Sequence, residues 1–310
     1  MSTQQEILLE SGTNEFEIVE FVIANQSYGV NVAKVREIIQ YDAKAVTQLP
    51  ENHPSMLGLY FLRGDTFPLI DLSVTLKVDK EKQPARQVIL VCEFNALVNG
   101  FLVDGVRQIR RCSWEDVKPV TTFQSQYRPM VTSTVHIEDR QILILDLEHI
   151  ISVIYPDTGV TFDEEKLPPK EISRGEARLV IAEDSPLIRE AIIKILRKVG
   201  YANAQVFTNG KDAFDEVTRV KRSADEAGVD ISEMLNGVIT DIEMPQMDGL
   251  TFCKRVRTEL NLPNLPVIMF SSMINEQMAA KCRDVGANAF TTKPQTSHLV
   301  EIIDYYCLKK

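Results

Sequence analysis

In the last third of the chain four apolar runs of four residues each recur: Leu179 to Ala182, Gly237 to Thr240, Val267 to Phe270 and Ala289 to Thr292, with helix-like sequence between them. Such runs, alternating with helical periodicity, are the pattern of a parallel sheet covered on both faces. Each run ends on a chemically useful side chain: Glu183 and Asp184 after the first, Asp241 after the second, Ser271 after the third, Lys293 after the fourth. The carboxyl ends of strands in such sheets form one crevice, so these groups are expected to meet at a single edge. Three carboxylates brought together repel one another without a counterion. Hard oxygen ligands suit Mg²⁺, and Lys293 adds a fixed positive charge. A carboxylate nucleophile, Asp241, facing a cation and an ammonium group is what phosphoryl transfer requires, because its catalysis is mostly positioning and electrostatics.

Ser185 is a candidate N-cap and Pro186 a candidate first helical residue. Ile188, Ala191, Ile192, Ile195, Leu196 and Val199 then recur at helical spacing until Gly200 closes the helix. Alternation continues with a strand near Gln205 to Phe207, a helix from about Gly210, a helix after Asp248-Gly249, a helix from Asn275 to Val285 and a last helix from Ser297. Right-handed crossovers turn this order into an α/β, doubly wound, five-stranded parallel sheet.

A chain of 310 residues exceeds one ordinary core and implies two domains. The seam lies where Pro156, Pro168 and Pro169 sit among charged residues with little apolar periodicity. Residues 14–154, a linker at 155–175, and residues 176–310 are the expected divisions. The formal net charge of -10 argues against nucleic acid and anionic membrane as partners. No stretch approaches the roughly 20 apolar residues of a membrane span, and Met1 to Ser11 lacks the basic and apolar regions of a signal peptide. A cytoplasmic location is expected. The five cysteines are widely spaced, with no Cys-x-x-Cys pair, and are read as reduced thiols.

The N-terminal part reads as a multistranded, meandering all-β barrel. Phe16 to Ile23, Gly58 to Leu62, Thr66 to Leu72, Gln87 to Phe94, Gly100 to Val106 and Gln141 to Leu147 are strand-like runs, many separated by turn residues such as Asn99-Gly100 and Arg63-Gly64-Asp65. One helical interruption is expected, where Val32, Val35, Ile38 and Ile39 follow a capping Asn31. His53, His136 and His149 are isolated in sequence and read as structural or surface residues.

The ordered segments Tyr28-Gly29-Val30-Asn31-Val32-Ala33-Lys34-Val35-Arg36-Glu37-Ile38, Leu62-Arg63-Gly64, Pro68-Leu69-Ile70-Asp71-Leu72, Gly100 to Val106 and Ile142 to Asp146 resemble the CheW family of chemotaxis coupling domains. The resemblance implies a pair of intertwined five-stranded β-barrels without catalytic activity. It also implies binding to the cytoplasmic tips of chemoreceptors and to a histidine kinase, with Val35, Glu37, Gly58 and Arg63 at matching contact positions. Gly58 flanks a strand where close backbone approach or a positive φ is expected. Arg63 offers a planar fork to a partner, or pairs internally with an acidic neighbour. Phe61 stands where the family often has Asn.

The C-terminal part resembles the receiver domains of response regulators through Ile181 to Ser185, Thr240 to Gly249, Phe270-Ser271-Ser272 and Thr292-Lys293-Pro294. That resemblance implies phosphorylation of Asp241, Mg²⁺ held by Glu183, Asp184, Asp241 and the backbone carbonyl of Glu243, and a switch formed by Ser271 and Phe290. Phe290 replaces the usual Tyr and lacks its hydroxyl. It also suggests a cis Lys293-Pro294 bond. The Val220 to Leu235 segment is longer than the usual connection. A coupling domain followed by a receiver is the arrangement of fused chemotaxis coupling proteins, so a phosphorylation-regulated adaptor at membrane-associated receptor arrays is expected. The alternatives are an adaptor whose receiver mainly drains phosphoryl groups, and an aspartyl-nucleophile phosphatase, whose Asp-x-Asp motif is broken by Glu243. A carboxylate at Glu243 beside the path of attacking water predicts slow dephosphorylation.

Overall fold

The computed structural model describes residues 12–50, 53–79, 86–95, 97–120, 130–137, 139–155, 174–273, 276–293 and 296–308. The chain forms two compact units, one of Glu17–Cys112 with Asp116–Thr161, the other of Met1–Phe16, Ser113–Glu115 and Phe162–Lys310. Pro294, Asn275 and most of the expected linker lie outside the described residues, and so does the expected cis bond.

The β-rich unit is built on two sheets. Its strands are β1 (Glu15–Ile23), β2 (Gln26–Asn31), β3 (Val35–Gln40), β4 (Val46–Thr47), β5 (Met56–Leu62), β6 (Asp65–Asp71), β7 (Val88–Phe94), β8 (Leu97–Val103), β9 (Gly105–Ser113), β10 (Val117–Pro119), β11 (Val131–Ile137) and β12 (Arg140–Leu145). One sheet runs β10-β11-β12-β2-β1-β9 and the other β3-β7-β8-β6-β5-β4. Each has six strands rather than the five that the resemblance implied, and each ends on a strand of two or three residues. Alternation along β7 explains how the sheets share a core. Leu90 and Cys92 join Phe21, Tyr28, Val30, Phe101 and Leu145 in one apolar cluster, while Ile89 and Val91 face Tyr60, Phe67 and Leu69 in another. A short helix α1 (Leu72–Thr75) and an amphipathic α2 (Leu147–Ile154), capped by Asp146, complete the unit.

Three further expectations for this half are corrected. Asn99-Gly100, read as turn residues, lies inside β8. The helix expected over Val32 to Ile39 is a single 3₁₀ turn, Val32–Lys34, capped by Asn31 through Ala33 N–H at 2.9 Å, and the rest is strand β3. The run Gly100 to Val106 is not one strand. It crosses from β8 to β9, which belong to different sheets.

Glu20, fully buried on β1, is the electrostatic centre of the first sheet. Its carboxylate accepts from Arg110 Nε at 2.6 Å and Ser27 Oγ at 2.9 Å, with Arg140 at 3.5 Å and Arg107 at 3.8 Å. Burial alone would raise its pKa. The Arg110 and Ser27 hydrogen bonds and the charges of Arg110 and Arg140 outweigh it and hold Glu20 below the usual carboxylate value.

The second unit carries the α/β sheet. Strands β13 (Arg178–Ala182), β14 (Asn203–Phe207), β15 (Gly237–Thr240), β16 (Val267–Phe270) and β17 (Ala289–Thr291) are all parallel, in the order β14-β13-β15-β16-β17. The helices are α3 (Pro186–Val199), α4 (Gly210–Ala227), α5 (Gly249–Thr258), α6 (Glu276–Asp284) and α7 (Thr296–Cys307). Gly200 ends α3 in the left-handed region, at φ 105°. Ser185 occupies the N-cap position, but its side chain makes no capping bond. The long Val220 to Leu235 segment extends α4 to Ala227 and adds a 3₁₀ turn at Ile231–Glu233. Arg174 fastens the start of this unit: fully buried, it donates to Asp304 at 2.8 and 2.6 Å and to Val199 O at 3.0 Å, and Tyr201 OH donates to the same carboxylate at 2.8 Å.

Candidate phosphoacceptor site

Parallel register decides where the site lies. Ala182 pairs with Thr240, Met269 with Thr240, and Phe270 with Thr291, so the residues that follow these strands emerge at one edge. Lys293 Nζ bridges the edge, donating to Asp241 Oδ2 at 2.7 Å and to Glu183 Oε1 at 3.1 Å. Ligand oxygens of Glu183, Asp184 and Asp241 lie within 4.8 Å of one another. Glu183, Asp241 and Lys293 are buried, and Asp184 is half-buried.

Hydrogen bonding leaves one conspicuous gap. Asp241 Oδ1 accepts from Ile242 N–H at 2.6 Å, and Glu183 Oε1 also accepts from Ser185 N–H at 3.1 Å. Glu183 Oε2 is buried and has no hydrogen-bond partner among the described residues. An orphaned carboxylate oxygen inside a protein costs on the order of 1–3 kcal/mol or more. Burial pushes the Glu183 carboxyl well above its usual range; the Asp241 and Asp184 charges push the same way, and Lys293 opposes them. One ammonium group does not neutralise three carboxylates. The donor set, all hard oxygens with one oxygen unsatisfied, fits a small divalent cation.

Local sequence explains the shape of the loops. Asp248 caps α5 by accepting from Thr251 N–H at 2.8 Å and Thr251 Oγ1 at 2.6 Å. Gly249 next to it is required, because a Cβ there would lie 2.0 Å from Asp241 O. Arg189, one turn into α3, donates to Glu183 O at 2.9 Å and Asp184 O at 3.0 Å and so pins the acidic pair. Sequence reasoning passed over Arg189, although its position four residues after Ser185 is a usable signal.

Ser271 is fully buried just beyond β16, with its Oγ 3.5 Å from Met273 N–H. Phe290 is half-buried on β17 at the edge of the core, and the Arg283 guanidinium lies 5.6 Å from its ring centroid. Glu243 is half-buried, two residues after Asp241.

In the β-rich unit, Glu37 and Arg63 approach to 3.6 Å, with Arg63 exposed. They border a hollow of about 160 Å³ with Arg36, Leu62, Asp65 and Phe67. An exposed pair of this kind contributes roughly 0–1 kcal/mol. Gly58 has φ 139°, and a Cβ there would come within 2.3 Å of Thr47 O, so its requirement comes from the β4–β5 approach. Val35 opens β3 at an irregularity in its pairing with β7, and Phe61 on β5 is 58% exposed.

Comparison with known proteins places both halves. The CheW-like domain family matches residues 17–154 and the response regulator receiver domain family matches residues 179–304. Chemotaxis protein CheV3 of Helicobacter pylori is 31% identical over 303 residues, covering 94% of this chain and 94% of that protein. Chemotaxis protein CheV2 of the same organism is 27% identical, covering 89% and 88%. Among solved structures, the scaffolding protein TtCheW from Thermoanaerobacter tengcongensis is 26% identical with a TM-score of 0.40, covering 44% of this chain and 92% of that one.

Proposed function

The chain belongs to the CheV family of chemotaxis proteins, a CheW-like coupling domain fused to a receiver domain, and we propose that Asp241 of this member accepts a phosphoryl group from a histidine kinase and thereby adjusts the coupling of chemoreceptors to that kinase. The family's role is that of an adaptor in chemotaxis. Among the described residues no helix is long and apolar enough to cross a membrane. The observation that carries the reading is Lys293 spanning Asp241 and Glu183 while Glu183 Oε2 has no partner among the described residues.

Receiver domains bind Mg²⁺ as a class, and here Glu183, Asp184 and Asp241, with the carbonyl of Glu243, would hold it. When bound, the ion disperses charge on the phosphoryl oxygens. The remaining steps belong to the protein. Asp241 Oδ1 is fixed by Ile242 N–H, which orients the carboxylate plane. Asp241 attacks phosphorus; the P–N bond of the donor phosphohistidine breaks as the P–O bond forms. Lys293 leaves Oδ2 for the incoming phosphoryl oxygens, where it offsets the added charge. Arg189 keeps the Glu183 and Asp184 carbonyls in place throughout. Ser271, buried just beyond β16, would donate to the acyl phosphate, and Phe290 with Arg283 forms the edge that responds. Val35, Glu37, Gly58 and Arg63 shape the coupling surface, with Arg63 and Phe61 presented to a receptor tip or to the kinase.

The test is binding of a receptor tip fragment and of the kinase to the full chain, with and without Mg²⁺ and beryllofluoride. A changed affinity supports regulated coupling. Equal affinities, with rapid turnover at Asp241, select a phosphoryl drain instead.

A further inference from the structure

The phosphoacceptor loop is held by residues from two distant places in the sequence. The segment ending at Phe16 and the three residues Ser113–Glu115 belong to the same compact unit as the receiver sheet. Asn14 makes three bonds to the junction of the loop with α5. Its backbone N–H donates to Thr251 Oγ1 at 2.9 Å, its Nδ2 donates to Gln246 O at 3.0 Å, and its Oδ1 accepts from Asp248 N–H at 3.1 Å. Trp114 closes the other side: its carbonyl accepts from Gln246 N–H at 2.8 Å and its N–H donates to Asn14 O at 3.0 Å. Its ring stacks on Phe16 with centroids 3.9 Å apart. Gln246 itself sits at φ 68°, a strained conformation for a residue with a Cβ, which the surrounding bonds must hold.

This clamp connects to the reacting carboxylate in few steps. Ile242 N–H donates to Asp241 Oδ1 at 2.6 Å, and Gly249 N–H donates to Ile242 O at 3.0 Å, next to the Asp248 N–H that Asn14 holds. A phosphoryl group on Asp241 adds charge and bulk beside Ile242 N–H. Any strain that it places on the loop arrives at Gln246 and Asp248.

We propose that Asn14 is a positioning residue for the phosphoacceptor loop and that Trp114 senses the loop's occupancy, so that the state of Asp241 is passed to chain segments far from it in sequence. The inference rests on Asp241 being the phosphoacceptor. By linkage, if occupancy of Asp241 alters the clamp, loosening the clamp alters the affinity of Asp241 for its ligand by the same factor. Trp114 is the single tryptophan of the sequence and is buried, so its emission reports this place alone.

The experiment titrates the full chain with beryllofluoride in Mg²⁺, following binding by fluorine NMR and the loop by Trp114 emission. In the unaltered chain the emission shifts with the same midpoint as binding. Asn14→Gly keeps the backbone conformation at φ 61° accessible and removes both side-chain bonds; it weakens beryllofluoride binding about tenfold, or about 1.4 kcal/mol, and flattens the emission response. Asn14→Asp keeps the acceptor and loses the donor, and weakens binding about threefold. If beryllofluoride binds while Trp114 stays silent and both variants bind as the unaltered chain does, the clamp is overturned and the phosphoacceptor reading stands. If the unaltered chain fails to bind beryllofluoride, both fall. Should Asn14→Gly lose its fold by circular dichroism, the emission titration and Asn14→Asp still decide.

Discussion

Glu20 and Glu183 are both removed from water, at 0% and 1% exposure, yet they have opposite electrostatic fates. Around Glu20 stand three guanidinium groups and a hydroxyl, and the carboxyl is held below its usual range. Among the described residues, two further carboxylates and one ammonium group face Glu183; the carboxyl is pushed up, and one oxygen has no partner there. The first is a closed structural charge whose compensation is complete within the fold. The second is undercompensated, which is the condition a site must meet if cations and phosphoryl groups are to come and go. Equal burial therefore says nothing about role until the charges facing each group are counted.

The strongest way to break the contrast is to remove the proposed phosphoacceptor. Asp241→Asn is expected to reduce incorporation of radiolabel from a phosphorylated kinase by roughly 10⁴ or more, while substitutions at Glu20 leave incorporation intact wherever the fold survives. Next in size, Arg110→Met strands Glu20; breaking a buried pair costs about 3–5 kcal/mol, and the remaining arginines hold the loss, read by urea denaturation, near the lower figure. A smaller effect sharpens the comparison from the other side. Mg²⁺ at a hundred times its dissociation constant stabilises the receiver by about 2.7 kcal/mol, seen as slowed hydrogen exchange in β13 and β15 with β1 and β2 unchanged.

Acid separates the two glutamates further. Glu20 binds its proton less readily folded than unfolded, so its contribution is whole above the ordinary value of 4.5 and is lost as pH falls through the folded value. Calorimetry of Glu20→Gln against the unaltered chain is expected to show a gap in melting temperature at pH 6 that narrows on acidification below about 4.5. The smallest effect is kinetic: Glu243→Asn shortens the lifetime of the acyl phosphate by about two- to tenfold. An unchanged lifetime removes Glu243 from the account of dephosphorylation.

The receiver half was legible because four of its strands are short apolar runs, each followed by a charged or hydroxyl side chain, so Gly237–Thr240 and Val267–Phe270 appear with the expected bounds. The β-rich half was harder for a physical reason. Along β3 the burial alternates, leaving Ile38 41% exposed and Ile39 turned inward, so consecutive apolar residues satisfied helical and extended periods at once. The run from Gly100 to Val106 concealed a change of sheet at Asp104, where the carboxylate accepts from Ala24 N–H at 2.8 Å. Asn14 and Trp114 act mostly through main-chain atoms of distant segments, and no residue pattern announces such contacts.

Arg174 has a practical consequence for dissecting the molecule. A receiver fragment begun at residue 176 would discard the guanidinium that answers Asp304 and Val199, and would leave that acid and the Tyr201 phenol facing an empty socket at the foot of the sheet. Poor expression of such a fragment would reflect where the scissors fell. Cloning boundaries that retain Arg174 keep the receiver's own cornerstone.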